Sequence, residues 1–156
     1  MIVRAATLAE PDLDVIVHQR RSMFRDMGYA DQAALEAMSV AFRPWLRGKM
    51  EAAEYLAWFA LAPDSSIAAG LGLWLMDWPP HMVAQGRWRG NILNVYTEPP
   101  HRRRGLARAL MGVALDWCAV NHVGGIILHA SPEGRPLYES LGFSSTNEMR
   151  LVRPAG

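Results

Sequence analysis

The sequence contains only one cysteine, Cys118, among its 156 residues. One cysteine cannot form an intramolecular disulfide or a cysteine-based zinc cluster, so a hydrophobic core must stabilise the fold. No apolar run approaches the roughly 18 residues that a membrane span requires, and the N-terminus lacks the apolar region of a secretory signal. These absences predict a soluble, cytoplasmic protein that is not associated with a membrane.

The sequence also lacks a strong charge of either sign, with a formal net charge of +1 and a sequence pI of about 8.0. A protein that binds nucleic acid through a general basic surface would carry a larger positive excess, so no nucleic-acid partner is expected. With 51% hydrophobic residues, the chain is long enough for one substantial core but too short for two. We therefore predict a single domain over residues 1–156.

Hydrophobic periodicity and turn residues predict the element order β-α-α-β-β-β-α-β-α-β. Pro44 is expected to kink or interrupt the second helix. Strands alternate with helices only in the second half, which predicts an α/β (α+β) fold with a mixed, mostly antiparallel central sheet and helices on both faces. The predicted strands are 2–6, 55–61, 67–76, 91–97, 126–130 and 148–152, and the predicted helices are 10–27, 31–49, 105–122 and 135–141.

A local concentration of positive charge, HRRRGLAR at residues 101–108, stands between a predicted strand and a predicted helix. Free N–H groups and the helix dipole make a helix N-terminus favourable for anions. Gly105 permits a tight turn and a close approach to the main chain, and neighbouring arginines add charge-assisted bonds to phosphate oxygens. We predict an anion site for a phosphate or pyrophosphate; a merely solvated arginine run is the alternative. The glycine patterns of P-loop and Rossmann proteins are absent.

Two short motifs, RRRGLA at 102–107 and LYESLGF at 137–143, are separated by one predicted helix and one predicted strand. They resemble the two signatures of the GNAT superfamily, the GCN5-related N-acetyltransferases: R/Q-x-x-G-x-G/A and LYE-x-LGF. The resemblance extends over the order of elements along essentially the whole chain. It implies a GNAT-like acyl-CoA N-acyltransferase fold, with acetyl-CoA as cosubstrate and no metal.

The resemblance further implies how the cofactor is bound. Backbone amides of the arginine turn would hold the CoA pyrophosphate, and the pantetheine arm would enter beside the preceding strand, much as an added strand would. The doublet Pro99–Pro100 is expected to end ladder pairing at that point. Ser131 stands where the family often has asparagine, which is a departure from the pattern. The implied cofactor-binding residues are Val95, Tyr96, Thr97, Arg102, Arg103, Arg104, Gly105, Leu106, Ala107, Arg108 and Ser131.

Tyr138 occupies the position of the family tyrosine, and the resemblance implies that it protonates the departing CoA thiolate. Simple core packing of this aromatic ring is the alternative. Backbone N–H groups near Tyr96 and Thr97 would polarise the thioester carbonyl. No general base is assigned, because Asn91 cannot usefully accept a proton and Glu98 would lie near the pyrophosphate.

Three further side chains near the motifs have ordinary structural alternatives. We expect His129 to be packed rather than catalytic, and Cys118 to belong to the core. Arg135 is compatible with a contact to the CoA phosphates and equally with a solvated position. The histidines show no metal-ligand spacing, so no metal site is expected.

The acceptor in this superfamily usually contacts the first helices and the loop after the third strand. Here those segments carry Arg20, Arg21, Phe24, Trp45 and the stretch 78–88. Their aromatic side chains are compatible with an apolar or aromatic amine, and equally with a shielded core edge or a homodimer contact.

The function predicted from these features is transfer of an acetyl group from acetyl-CoA to a primary amine of a small molecule or peptide. The amine would attack directly in a ternary complex, since no nucleophile is placed for a covalent intermediate. Two alternatives remain open at this point: a non-catalytic acyl-CoA sensor, and an RNA-directed acetyltransferase that uses Arg87-Trp88-Arg89 and the arginine turn as a basic-aromatic surface.

Overall fold

The computed structural model describes residues 1–154; the last two residues of the predicted domain, Ala155 and Gly156, lie outside that range. Within it, no helix is both long and apolar enough to cross a lipid bilayer. The elements are β1 (Ile2–Ala5), α1 (Glu10–Asp26), α2 (Gln32–Glu51), β2 (Tyr55–Leu61), β3 (Ile67–Asp77), β4 (Trp88–Thr97), a 3₁₀ turn (Pro99–His101), α3 (Leu106–Val120), β5 (Gly125–Leu128) and α4 (Arg135–Ser140).

The five strands form one sheet in the order β1-β2-β3-β4-β5. Neighbouring strands are antiparallel from β1 to β4, whereas β5 runs parallel to β4. Helix α3 packs on one face over an apolar cluster, and α1 and α2 pack on the other face over a second cluster. The predicted fold class, a mixed and mostly antiparallel sheet with helices on both faces, is confirmed.

Local sequence explains how the helices on the second face begin and continue. Pro11 occupies the first turn of α1, where a missing N–H costs little. The Asp31 side chain caps α2 by accepting a 3.1 Å hydrogen bond from the Ala34 N–H. The expected interruption at Pro44 is wrong, because α2 is one continuous helix with Pro44 on its exposed side. Burial of Phe42 and Leu46 against the sheet offsets the lost hydrogen bond.

The predicted last strand, residues 148–152, is also wrong. In the structure residues 144–154 are exposed, and within the described residues 1–154 they join no ladder. The apolar alternation is present in the sequence, but a strand requires a partner edge, and β5 is only four residues long. Strand β4 begins three residues earlier than predicted, because Trp88 pairs with Asp77 at the end of β3.

Two features open the carboxyl half of β4 on the side of β5. The last β4–β5 pair is Ile92 with Leu128, so the last five residues of β4 have no neighbour in that strand. A bulge follows, because the register with β3 shifts between the pairs Gly72–Leu93 and Gly70–Tyr96, and Asn94 there has a left-handed φ of 57°. The gap therefore starts well before the proline doublet, which was expected to end the pairing.

Candidate functional site

The arginine run forms a sharp turn directly before α3. Gly105 is the N-cap residue of α3, with φ of 76°, and Arg103 is also left-handed, with φ of 61°. Two left-handed residues in one short turn redirect the main chain so that successive N–H groups face outward at the helix start. The left-handed conformation favours glycine at position 105.

The amides of this turn are not used by the protein itself. Within residues 1–154, the N–H groups of Arg103 through Arg108 donate no hydrogen bond, and the first helical bond is Ala109 N–H to Gly105 O at 3.0 Å. The side chains of Arg103 and Arg104 are exposed and form no ion pair in the same part of the chain. A row of free donors beside two free guanidinium groups is an anion-binding arrangement.

Arg102 differs from its neighbours because its guanidinium is already engaged. Its Nε donates to the Thr97 carbonyl at 3.0 Å, and its Nη2 donates to the Asp26 carboxylate at 2.6 Å. The same group lies 5.6 Å from the centroid of the Tyr96 ring. Arg102 therefore joins the end of β4 to the end of α1.

The open side of β4 carries unpaired main-chain groups. Alternate residues of an antiparallel strand direct their N–H groups to opposite edges. Because Glu98 N–H donates to Ala68 on β3 at 2.9 Å, the amide of Thr97 points towards the side of β5. The same alternation directs the amide of Val95 there. Val95 and Thr97 thus line the gap, whereas Tyr96 pairs with Gly70 of β3.

Tyr138 lies on α4, half-buried against the apolar cluster under α3, with its ring 6.2 Å from that of Phe143 in an edge-on contact. Burial raises the pKa of its hydroxyl, which therefore stays protonated at neutral pH. Within residues 1–154 the hydroxyl has no hydrogen-bond partner. A Cβ on Gly134 would lie 2.9 Å from the Tyr138 ring, so a glycine there lets the ring lie close to the main chain.

The other predicted side chains around α4 have structural contacts. Ser131 Oγ accepts a 3.1 Å hydrogen bond from Gly134 N–H. Arg135 Nε donates to Glu139 at 2.6 Å, which agrees with a solvated helix-start residue. Arg108 Nη2 donates to Ser140 Oγ at 2.7 Å and links the first turn of α3 to the end of α4. The predicted cofactor residues and Tyr138 thus come from neighbouring elements.

Cys118 and His129 were both expected to be packed, and the structure places them differently. Cys118 is buried in the α3 cluster, as predicted, and burial raises the pKa of its thiol to about 11. His129 is exposed just beyond the end of β5, so the prediction that it is packed is wrong. Strand β5 ends at Leu128, two residues before the predicted end, and none of its own residues is fully buried.

On the opposite face of the sheet, a polar chain lies directly under the bulge. Arg20 Nη1 donates to Asn94 Oδ1 at 2.8 Å, and Asn94 Nδ2 donates to Tyr55 Oη at 2.9 Å. Burial raises the pKa of Tyr55 to about 12. A Cβ on Gly72 would lie 2.0 Å from that hydroxyl, so the sheet accommodates Tyr55 only because Gly72 has no side chain.

Sequence reasoning missed this chain of hydrogen bonds. One signal was available: asparagine is unusual inside a strand but common at left-handed positions, and Asn94 falls within a predicted strand. The pairing of Arg20, Asn94 and Tyr55 joins residues distant in sequence, and no local pattern predicts it.

The aromatic residues proposed for the acceptor lie in three different parts of the fold. Phe24 lies beside the site, with its ring centroid 5.0 Å from the Arg20 guanidinium carbon. The stretch 78–88 lies at the other end of β4, about 30 Å from Thr97 at ~3.3 Å per strand residue. Trp45 packs against Tyr55 and Trp74 as part of the core.

Two arginines of the proposed RNA surface, Arg87 and Arg89, contact other side chains of the protein. Arg87 stacks 4.3 Å over the Trp88 ring and lies 3.6 Å from Asp77. Arg89 stacks 4.1 Å over the Trp78 ring and pairs with Glu148 at 2.8 Å. These contacts engage Arg87 and Arg89, whereas Arg103 and Arg104 of the arginine turn stay exposed.

Comparison with known proteins places this geometry among acetyltransferases. Residues 24–143 match the model of the acetyltransferase (GNAT) family. A GCN5-related N-acetyltransferase from Ralstonia eutropha JMP134 is 35% identical, and its structure superposes with a TM-score of 0.89 over 99% of each chain.

Two other proteins extend the comparison. A predicted acetyltransferase from Clostridium acetobutylicum, solved with acetyl-CoA, shares the fold with a TM-score of 0.86 and 24% identity over 97% of this chain and 95% of the other. Glucosamine 6-phosphate N-acetyltransferase from Trypanosoma brucei brucei is 32% identical over 97 residues, which span 60% of this chain and 62% of that protein.

Proposed function

The chain belongs to the acetyltransferase (GNAT) family, and on that premise we propose that it transfers the acetyl group of acetyl-CoA to a primary amine. The amine attacks directly in a ternary complex. Membership of the family confirms the resemblance seen in RRRGLA and LYESLGF. The predicted enzyme class, acyltransferase, is also the class of this family. We also propose that residues 1–156 belong to one acetyltransferase domain and that the enzyme works in the cytoplasm.

The observation that carries the proposal is the row of free amides at residues 103–108. Six consecutive donors without acceptors, at the positive end of a 15-residue helix, suit a diphosphate. Exposed Arg103 and Arg104 supply charges for the remaining phosphate oxygens. Arg102 contributes by bracing the turn, since its guanidinium is held by Asp26 and Thr97.

The gap beside β4 suits the pantetheine arm of the cofactor. Amide groups of Val95 and Thr97 face that gap and would bond to the arm as a neighbouring strand would. Ser131 keeps a hydroxyl hydrogen to donate, because its contact with Gly134 uses only a lone pair. The acetyl-CoA bound to the Clostridium acetobutylicum protein of the same fold supports this cosubstrate.

The chemistry needs a polarised carbonyl and a proton for the leaving thiolate. The amine nitrogen attacks the thioester carbon, and N–H groups at the bulge stabilise the charge that develops on the carbonyl oxygen. The carbon–sulfur bond then breaks, and Tyr138 donates its hydroxyl proton to the CoA sulfur. The amine loses its proton to water, and solvent returns a proton to the Tyr138 phenolate, so the reaction ends with the amide, free CoA thiol and neutral Tyr138.

The acceptor we propose is a small molecule or a peptide amine. The trypanosomal relative is named for a small sugar amine, which supports a small-molecule acceptor here. No metal is needed in this scheme, since backbone dipoles carry the electrostatic stabilisation.

Thiol release from acetyl-CoA tests the proposal. The purified protein is assayed against a panel of amines, amino acids, polyamines and peptides, and acetyl-CoA binding is measured by calorimetry. We expect binding and amine-dependent thiol release. Binding without release for any amine would instead favour a sensor, and absence of both would contradict the proposal.

A glycine pair makes the test specific to the turn. Gly105→Val projects a side chain into open space at the start of α3 and should weaken acetyl-CoA binding about 10-fold or more. Gly28→Val imposes the same left-handed strain at the exposed end of α1 and should leave binding unchanged. Equal affinity of both variants would contradict the role of the turn.

A further inference from the structure

Arg20 lies beneath the β4 bulge with its charged group partly buried. Its guanidinium carbon is 5.0 Å from the centroid of the Phe24 ring and 4.8 Å from that of Phe42. Its Nη1 donates to Asn94 Oδ1, and burial lowers the pKa of the guanidinium. Arginine nevertheless stays charged in proteins, so the site holds a positive charge in a poorly solvated position.

No carboxylate neutralises this charge. Within residues 1–154, Arg20 forms no salt bridge, and its buried Nε has no acceptor. Glu98, the carboxylate that reaches towards α1, accepts instead from the Gln19 amide, 3.5 Å away.

The other half-buried arginines on this face of the sheet all pair with acids. Arg4 pairs with Asp12 at 2.7 Å, and Arg43 pairs with Asp14 at 2.6 Å. Arg21, next to Arg20 in the chain, pairs with Glu36. Buried charges are normally paired. The guanidinium of Arg20 is the exception, so it needs a partner from outside the chain.

The position of Arg20 relates it to the reaction. Asn94, which it contacts, is the bulge residue and directly precedes Val95, whose amide faces the gap beside β4. The guanidinium Nη2 has no hydrogen-bond partner and is not among the enclosed polar atoms of residues 1–154, so it is open to solvent. A ligand reaching the bulge from the side of α1 and α2 would meet this group.

We propose that Arg20 binds an anionic group of the acceptor, so that the preferred substrate is an amine carrying a carboxylate or phosphate a few bonds from its nitrogen. This inference rests on the proposed acetyl transfer. Arg20 is a specificity residue: its free N–H donors pair with anionic oxygens, and Asn94 fixes its orientation. An acceptor without the acid leaves the positive charge unpaired and so binds more weakly.

The test compares matched acceptors that differ only in the acidic group. Glucosamine 6-phosphate is compared with glucosamine, and amino acids are compared with their carboxamides; the two arms separate phosphate from carboxylate. We expect the wild type to prefer the anionic member of at least one pair by about 10- to 100-fold in kcat/KM. That preference should fall as KCl is raised, because salt screens the interaction.

Variants separate recognition from structure. Arg20→Gln should lower kcat/KM for the anionic acceptor about 10- to 100-fold, with the neutral acceptor and the KM for acetyl-CoA unchanged. Arg20→Lys should keep part of the preference, and Arg21→Gln should keep all of it. For each variant, the ratio of kcat/KM for the anionic acceptor to kcat/KM for the neutral acceptor is divided by the same ratio for the wild type. This division removes differences in the intrinsic reactivity of the two amines.

Two results would overturn the inference while leaving acetyl transfer intact. One is a wild type that releases thiol equally with both members of every pair. The other is an Arg20→Gln variant that is folded but loses both members equally, which assigns Arg20 to support of the bulge. No thiol release with any amine contradicts the proposed function instead. If Arg20→Gln fails to fold, the salt dependence of the wild-type preference for the anionic acceptor tests the inference instead.

Discussion

The two faces of the sheet differ in the polarity of the side chains buried against them. Under α3, the buried side chains are apolar, with Leu110, Met111 and Cys118 facing Leu73. Among residues 1–154, the buried polar residues lie elsewhere: three are on α1 and the fourth is Asn94 on β4. A polar group buried without a partner costs free energy of folding. We infer that the α3 face is a scaffold and that the opposite face carries specificity at some cost in stability.

Truncating the α3 face should have the largest effect. Leu110 is fully buried in the apolar cluster, so Leu110→Ala should lower the free energy of unfolding by about 2 to 5 kcal/mol. Val120→Ala, at an exposed position on the same helix, should change it by less than about 0.5 kcal/mol. Chemical denaturation measures both. A Leu110→Ala variant of wild-type stability would contradict a scaffold role for this face.

Tyr138 is the exception on the α3 face, because its hydroxyl has no hydrogen-bond partner within residues 1–154 and is the acid that we propose. Tyr138→Phe removes the proposed acid and should reduce kcat about 100-fold, while the KM for acetyl-CoA and the melting temperature change little. Tyr29→Phe, an exposed tyrosine at the end of α1, is the control and should have wild-type kinetics. Steady-state thiol release measures both variants, and an unchanged kcat would remove Tyr138 from the mechanism.

The polar face should differ from the apolar face in its response to pH. Hydrogen bonds from the Arg4 guanidinium and from Thr7 hold the pKa of Asp12 at about 2. The stabilisation by this carboxylate is complete above the unfolded pKa of about 4 and is lost as pH falls towards about 2. Asp12→Asn should cost about 1.5 to 3 kcal/mol at pH 7 and progressively less in acid.

Denaturation at several pH values checks this dependence. Asp14→Asn, an exposed carboxylate on the same helix, is the matched control and should cost less than about 1 kcal/mol. The cost of Leu110→Ala should not vary with pH. If Asp12→Asn were equally costly at pH 7 and pH 2, the assigned pairing with Arg4 would be wrong.

The sequence predicted those parts of the fold that depend on short-range patterns. Strand β2 begins and ends where expected, and α2 begins within one residue of the expected start at Asp31, because these features follow from adjacent residues. Residues 148–152 show the limit: alternation alone cannot supply a partner edge. Pro44 shows another, because burial on one side of α2 outweighs a local helix breaker.

The candidate site divides in the same way. The arginine turn and Tyr138 lie in contiguous motifs, so their places in the fold could be predicted. The bulge at Asn94 and its contact with Arg20 join residues 74 positions apart, and their meeting depends on how α1 docks on the sheet. A single sequence contains no direct signal for such a contact.

A binding turn made of main-chain N–H groups has a consequence for how the protein can diverge. Every amino acid except proline supplies the same donor, so the main-chain part of the proposed binding at residues 103 to 108 survives most substitutions, provided that the bend at Gly105 persists. In our proposal, the acceptor is determined instead by side chains on a different helix, such as Arg20. Substitution can therefore retune the choice of amine while the handling of the common cosubstrate stays as it is.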